Sequence, residues 1–191
     1  DGAVLFNKDI GNWNVSSVLN FREMFDDAKS FNQNISSWKV NKGTDFTGMF
    51  KGAKVFNQDI GNWDVSSGEK FGDMFYRAVN FNSDISNWDV SSGSKFQYMF
   101  MYSEKFNQDI SSWDVSNGTN FSEMFANATD FNQDISLWKI NENAELNGMF
   151  KGAELMQTHQ AFGANPTFSD FNQFKPITDR NSLNTALEAW I

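Results

Sequence analysis

Residues 106–130 read Phe106-Asn-Gln-Asp-Ile110-Ser-Ser-Trp113-Asp-Val115-Ser-Asn-Gly118-Thr-Asn-Phe121-Ser-Glu-Met124-Phe125-Ala-Asn-Ala128-Thr-Asp130. The same order starts again at Phe131 and has already run from Phe6, Phe31, Phe56 and Phe81, always in steps of 25 residues. Trp13, Trp38, Trp63, Trp88, Trp113 and Trp138 keep that step, as do Ile10, Ile35, Ile60, Ile85, Ile110 and Ile135. Six complete units fill residues 6–155 without insertion or deletion. Seventeen of the 21 phenylalanines sit in three columns of the repeat, so the aromatic surplus is repeated core filling. One unit cannot bury its own apolar face, whereas stacked units can.

Two local patterns divide the unit. Around Ile35-Ser-Ser-Trp38-Lys-Val40, apolar residues alternate with polar ones, which predicts a short strand with Trp38 and Val40 facing in. Phe46, Met49, Phe50 and Ala53 then fall at i, i+3, i+4 and i+7, the spacing of one helical face. A 3₁₀ segment fits that stretch nearly as well. Asn20 before Glu23 and Asn120 before Glu123 have capping-box spacing. Gly43, Gly68, Gly93 and Gly118 lie between the two patterns, where a tight turn is wanted. The expectation is an α/β solenoid of 25-residue units, with short parallel strands on one side and short helices or 3₁₀ turns on the other.

The Ile-x-x-Trp-x-Val segment lines up with the L-x-x-L-x-L strand of leucine-rich repeats. The whole unit, from Phe106 to Met124-Phe125, resembles the BspA-like leucine-rich-repeat surface proteins, including the 25-residue repeats of mycoplasma surface lipoproteins. The resemblance covers residues 3–155. Most units carry Gly and Phe where that family usually has Val and Met, and only Val18 keeps the valine. The resemblance implies a right-handed leucine-rich-repeat-like coil. It also implies an extracellular or cell-surface location and binding or adhesion to proteins or cells, with no catalytic residues to carry over.

Length and composition bound the alternatives. A chain of 191 residues is long enough to bury a core. With no cysteine, disulfide scaffolds and thiolate metal sites are excluded. A net charge of -9 without a basic cluster disfavours nucleic acid and anionic membranes. No apolar run reaches the roughly 18 residues that direct membrane insertion needs. Residues 1–5 resemble the tail of a preceding repeat (compare Lys51-Gly-Ala53), which suggests an internal piece of a longer surface protein. Residues 156–191 leave the period as a cap or junction. There Phe162, Phe168, Phe171 and Phe174 could cover the last unit, and 179–190 reads as an amphipathic helix.

Several ladders are candidate sites, each with a plainer structural reading. The asparagines Asn7, Asn32, Asn57, Asn82, Asn107 and Asn132 suit side-chain bonds to the next unit's backbone. Asp59, Asp84, Asp109 and Asp134 suit backbone capping, with a weak Ca2+ ladder as the alternative. The outward strand positions Lys39, Asp64, Asp89, Asp114 and Lys139 offer an acidic centre for a basic partner, or simply a solvated face. Tyr76, Tyr98 and Tyr102 offer an aromatic rim, or cover the core edge. The single histidine, His159, has no nucleophile partner, and repetition argues against one special place, so no enzyme and no cofactor are expected. Two functions remain: a surface module that binds protein or cell-surface ligands, and a passive structural spacer.

Overall fold

Alternate residues of the Phe-x-x-Met-Phe segment aim their amides at the unit that follows. Phe71 N–H donates to Lys95 O at 2.8 Å, and Asp73, Phe75 and Arg77 donate to Gln97, Met99 and Met101 O at 2.9 Å each. Between these bonds run short-range ones: Met74 N–H to Phe71 O, Tyr76 N–H to Asp73 O and Ala78 N–H to Phe75 O. The same pattern joins the units on either side. It comes from a computed structural model that describes residues 2–160 and 162–171.

This segment is a run of turns, where the apolar spacing predicts a short helix or 3₁₀ turns. The backbone dihedrals give the reason. Asp73 and Arg77 both have φ of +56°, and Tyr98 and Tyr102 have +59°. Gly48, Gly52, Gly148 and Gly152 occupy the same columns, also at positive φ. A helix keeps every φ negative and bonds its amides within itself. A left-handed residue at every fourth position instead rotates alternate amides out along the stack. Each such non-glycine residue costs roughly 1–2 kcal/mol. The bonds to the neighbouring unit offset that cost.

The parallel bridges differ in position from the expected strands. They link Asn20, Asp45, Lys70, Lys95, Asn120 and Glu145 in sequence, just before the turn segment. Among the described residues the Ile-x-x-Trp-x-Val stretch carries no bridge. It turns on itself through bonds such as Trp88 N–H to Ile85 O at 3.1 Å. Side chains tie it to its neighbour instead: Trp38, Trp63, Trp88, Trp113 and Trp138 Nε1 each donate to an isoleucine carbonyl of the preceding unit. Asn20 and Asn120 do not form capping boxes. Their Oδ1 atoms accept from the amides of Arg22 and Ser122, two residues on.

Stacked rings fill the interior. Phe50–Phe75 and Phe75–Phe100 lie 5.7 and 5.6 Å apart, nearly parallel, and Trp88–Trp113 lie 6.4 Å apart. Within a unit Phe75 stacks on Phe81 at 3.8 Å. Phe71, Phe75, Phe81 and Phe96 are wholly buried. Gly93 serves this packing through its size, since its φ is not positive. A Cβ there would meet the Phe96 ring at 2.4 Å, closer than real atoms approach.

The two ends differ. Gly2, at φ +68°, donates to Asp26 O just as Gly52 donates to Tyr76 O, so residue 2 takes the place of a unit's last ladder rung. Beyond it Leu5, Trp13 and Leu19 stand exposed. At the other end the chain mimics a seventh unit. Phe150 N–H donates to Ala164 O, and Gly148 N–H donates to Asn165 Oδ1 at 2.8 Å. Helix α1, Glu154–His159, buries Met156 there. A single 3₁₀ turn spans Phe168–Asp170. The Phe162 ring packs on Phe150, and Phe171 packs on Phe162, both at 5.1 Å. Phe168 is exposed. Phe174 and the helix expected over 179–190 lie outside the described residues.

Candidate functional site

The asparagine column bonds the backbone of the next unit: Asn57 Oδ1 accepts from Asn82 N–H at 2.8 Å, and Asn82 Oδ1 from Asn107 N–H at 2.9 Å. Gln108 Nε2 also donates to Asn82 Oδ1. The aspartate columns are exposed, and each holds its own turn. Asp59, Asp84, Asp109 and Asp134 accept from the amides of Gly61, Ser86, Ser111 and Ser136. Backbone and hydroxyl bonds from Ser86 hold the Asp84 carboxyl below the usual carboxylate range, and Ser111 does the same for Asp109. Among the described residues no group of three or more His, Cys, Asp or Glu side chains is placed to hold a metal ion.

The outward face of Lys39, Asp64, Asp89, Asp114 and Lys139 is exposed along its length. Its aspartates are occupied locally. Asp64 and Asp89 Oδ1 each accept a serine hydroxyl, Ser66 and Ser91, at 2.6 Å, as well as that serine's amide. The Ser91 and Ser116 bonds lower the Asp89 and Asp114 carboxyls, while neighbouring Asp114 pushes Asp89 the other way. Asn14, Asp64, Asp89 and Asp114 hold the same local turn, while Lys39 and Lys139 interrupt it with donors.

The turn face does not repeat. One column reads Asp27, Gly52, Arg77, Tyr102, and the column beside it reads Lys29, Lys54, Val79, Glu104. Together these eight residues line an open groove of about 470 Å3. Beside it the Arg77 guanidinium lies over two rings, 5.1 Å from the centre of Tyr76 and 5.5 Å from that of Tyr102. The two rings meet edge to face at 6.2 Å. Lys29 reaches Asp27 at 3.9 Å. Of the three expected rim tyrosines, the structure brings Tyr76 and Tyr102 together. Tyr98 is half-buried one column away, at a left-handed position, without a ring partner among the described residues.

The chain matches the family described as "Mycoplasma protein of unknown function, DUF285", over residues 1–79 and 61–162. It belongs to this family. No curated protein and no solved structure matches it. The family match overlaps itself at residues 61–79 and spans the six units, so the repeat is the family's own feature. Among the described residues no helix is long and apolar enough to cross a membrane.

Arg77, Lys54, Gly52 and Val79 were not among the residues the sequence singled out. Their signal was present as a break in the repeat. Reading down the column from Asp27 to Tyr102, four different residue types occur in four units. All four share the left-handed backbone of that column, which favours Asp27 and Gly52 but gives no reason for the cation of Arg77 or the ring of Tyr102.

Proposed function

We propose that the chain is a cell-surface or secreted repeat module that binds protein partners, with the groove around Arg77 as its platform. The carrying observation is the contrast between faces. The aspartate faces repeat the same turn, while the turn face concentrates Tyr76, Arg77, Tyr102 and Lys54 in one place. Tyrosine and arginine are the residue types that dominate binding hot spots. The resemblance of each unit to BspA-like leucine-rich repeats supports a surface location and an adhesive role. It also supports a leucine-rich-repeat-like solenoid, here with the inter-unit ladder on the Phe-x-x-Met-Phe side. Stacked units with no unique acid–base pair give no support to an enzyme.

Beads coated with the chain should adhere to intact cells. The double variant Tyr76→Ala/Tyr102→Ala should adhere several-fold less, and the triple variant Asp64→Ala/Asp89→Ala/Asp114→Ala should adhere as wild type does. Protease treatment of intact producing cells should remove the protein. The uniform aspartate faces favour a second reading, a spacer whose repeats supply length. Wild-type beads that adhere no better than uncoated ones would select the spacer.

A further inference from the structure

Resting on the reading of this face as the platform, we propose that the groove takes a carboxylate-bearing segment of a partner protein, anchored by Arg77 and Lys54. The argument begins with the guanidinium. It lies within cation–π distance of both Tyr76 and Tyr102. Among the described residues no side chain or carbonyl accepts from its N–H donors, and no carboxylate pairs with it. That planar fork matches the two oxygens of a carboxylate. Lys54, one unit away on the adjacent column, is exposed and likewise without an ion-pair partner among the described residues.

The rest of the groove selects the kind of acid. Gly52 leaves its floor open, and a Cβ there would crowd the Asp27 carboxylate. Val79 and Tyr102 supply apolar wall. Asp27 and Glu104 sit towards the two ends. A phosphate or sulfate polymer would bring negative charge to both of them, on a chain that already carries -9. A peptide can place one or two carboxylates at the centre and apolar side chains beside them. Four stacked units span roughly 14 Å, about the length of four extended residues. The groove is also within the size range of ligand-binding clefts.

The probe is a fluorescein-labelled hexapeptide with two glutamates flanked by phenylalanines, followed by anisotropy. Its twin has glutamine in place of glutamate. The glutamate peptide should bind at least about tenfold more tightly than the twin, and more weakly as salt rises from low to high. Arg77→Ala should lose about tenfold, and Arg77→Lys should lose most of the same, because the charge stays but the fork goes. Arg77 is exposed, and an unchanged melting curve would show that its variants fold. Equal binding of the twins, an unaffected Arg77→Ala, or preference for a heparin hexasaccharide over the glutamate peptide would each overturn the proposal. If wild type adheres to cells through Tyr76 and Tyr102 yet ignores the glutamate peptide, the partner chemistry fails and the platform reading stands.

Discussion

Each tryptophan does two jobs, and both depend on having a neighbour. Trp88 is buried, stacks on Trp113 and donates from Nε1 to Ile60 O at 2.9 Å. Trp13 makes no such Nε1 bond among the described residues and is 58% exposed. Trp88→Ala should therefore cost about 3–5 kcal/mol, the range for truncating a buried ring. Trp13→Ala should cost under about 1 kcal/mol, as surface substitutions do. Urea unfolding of both variants checks this, and equal losses would contradict the stack. Ser103 gives the opposite case. It stands where other units have alanine, buried, with its hydroxyl bonded to Phe75 O. Because Ala28, Ala53, Ala78 and Ala128 fill that position elsewhere, Ser103→Ala should change stability by less than about 1 kcal/mol. The aspartates set the pH response. Asp84, Asp89, Asp109 and Asp114 have folded-state pKa values below their ordinary range. Their contribution is complete above the unfolded carboxylate pKa of about 3.9, and is lost as pH falls through the lower folded value. Burial raises the Asp73 carboxyl, so that group acts in the opposite sense. The melting temperature should hold between neutral pH and about 5 and drop below about 4. A melting temperature that rises on acidification would show that relief of the chain's negative charge outweighs these turns.

At the scale of elements, the column content was legible and the backbone path was not. Periodicity identified the apolar buried columns: Phe, Ile, Trp, Val, Phe, Met, Phe and Ala are inside in the middle units, with Ser103 in the alanine column of one. The i, i+3, i+4, i+7 spacing of Phe46, Met49, Phe50 and Ala53 is shared by a helix and by a chain of turns, because each brings those side chains to one side. Composition offered a way to tell them apart. Gly48, Gly52, Asp27, Asp73 and Asn127 are the residue types that enter left-handed backbone most readily, and they fall in the two columns where φ is positive. Glu23, Arg77, Tyr98, Tyr102 and Glu123 hid that signal, since a tertiary ladder imposes on them a conformation their own preference opposes. The consequence is testable. Asp73→Gly should stabilise the fold or leave it unchanged, because glycine accepts positive φ without strain. Asp73→Val should destabilise it by about 1–2 kcal/mol. The opposite order would place a helix there.

For the whole molecule, the stack explains which site features could be read early. The aspartate and asparagine ladders are consequences of repetition, and repetition is visible in one dimension. The groove is a departure from repetition, made by four residues in each of two columns brought side by side, so its members are separated by 25 positions in sequence. Tyr76 and Tyr102 were noticed as rare aromatics, but Arg77 between them was not, because a lone arginine is ordinary until two rings flank it. The stack itself is most directly tested by amide hydrogen exchange in the central units. Slow exchange is expected at Phe71, Asp73, Phe75 and Arg77, which donate to the next unit. Fast exchange is expected at Gly72 and Asp89, whose amides donate to no backbone carbonyl among the described residues. Uniform protection across 74–79, as in a helix, with slow exchange at Asp89, as in a strand, would contradict it.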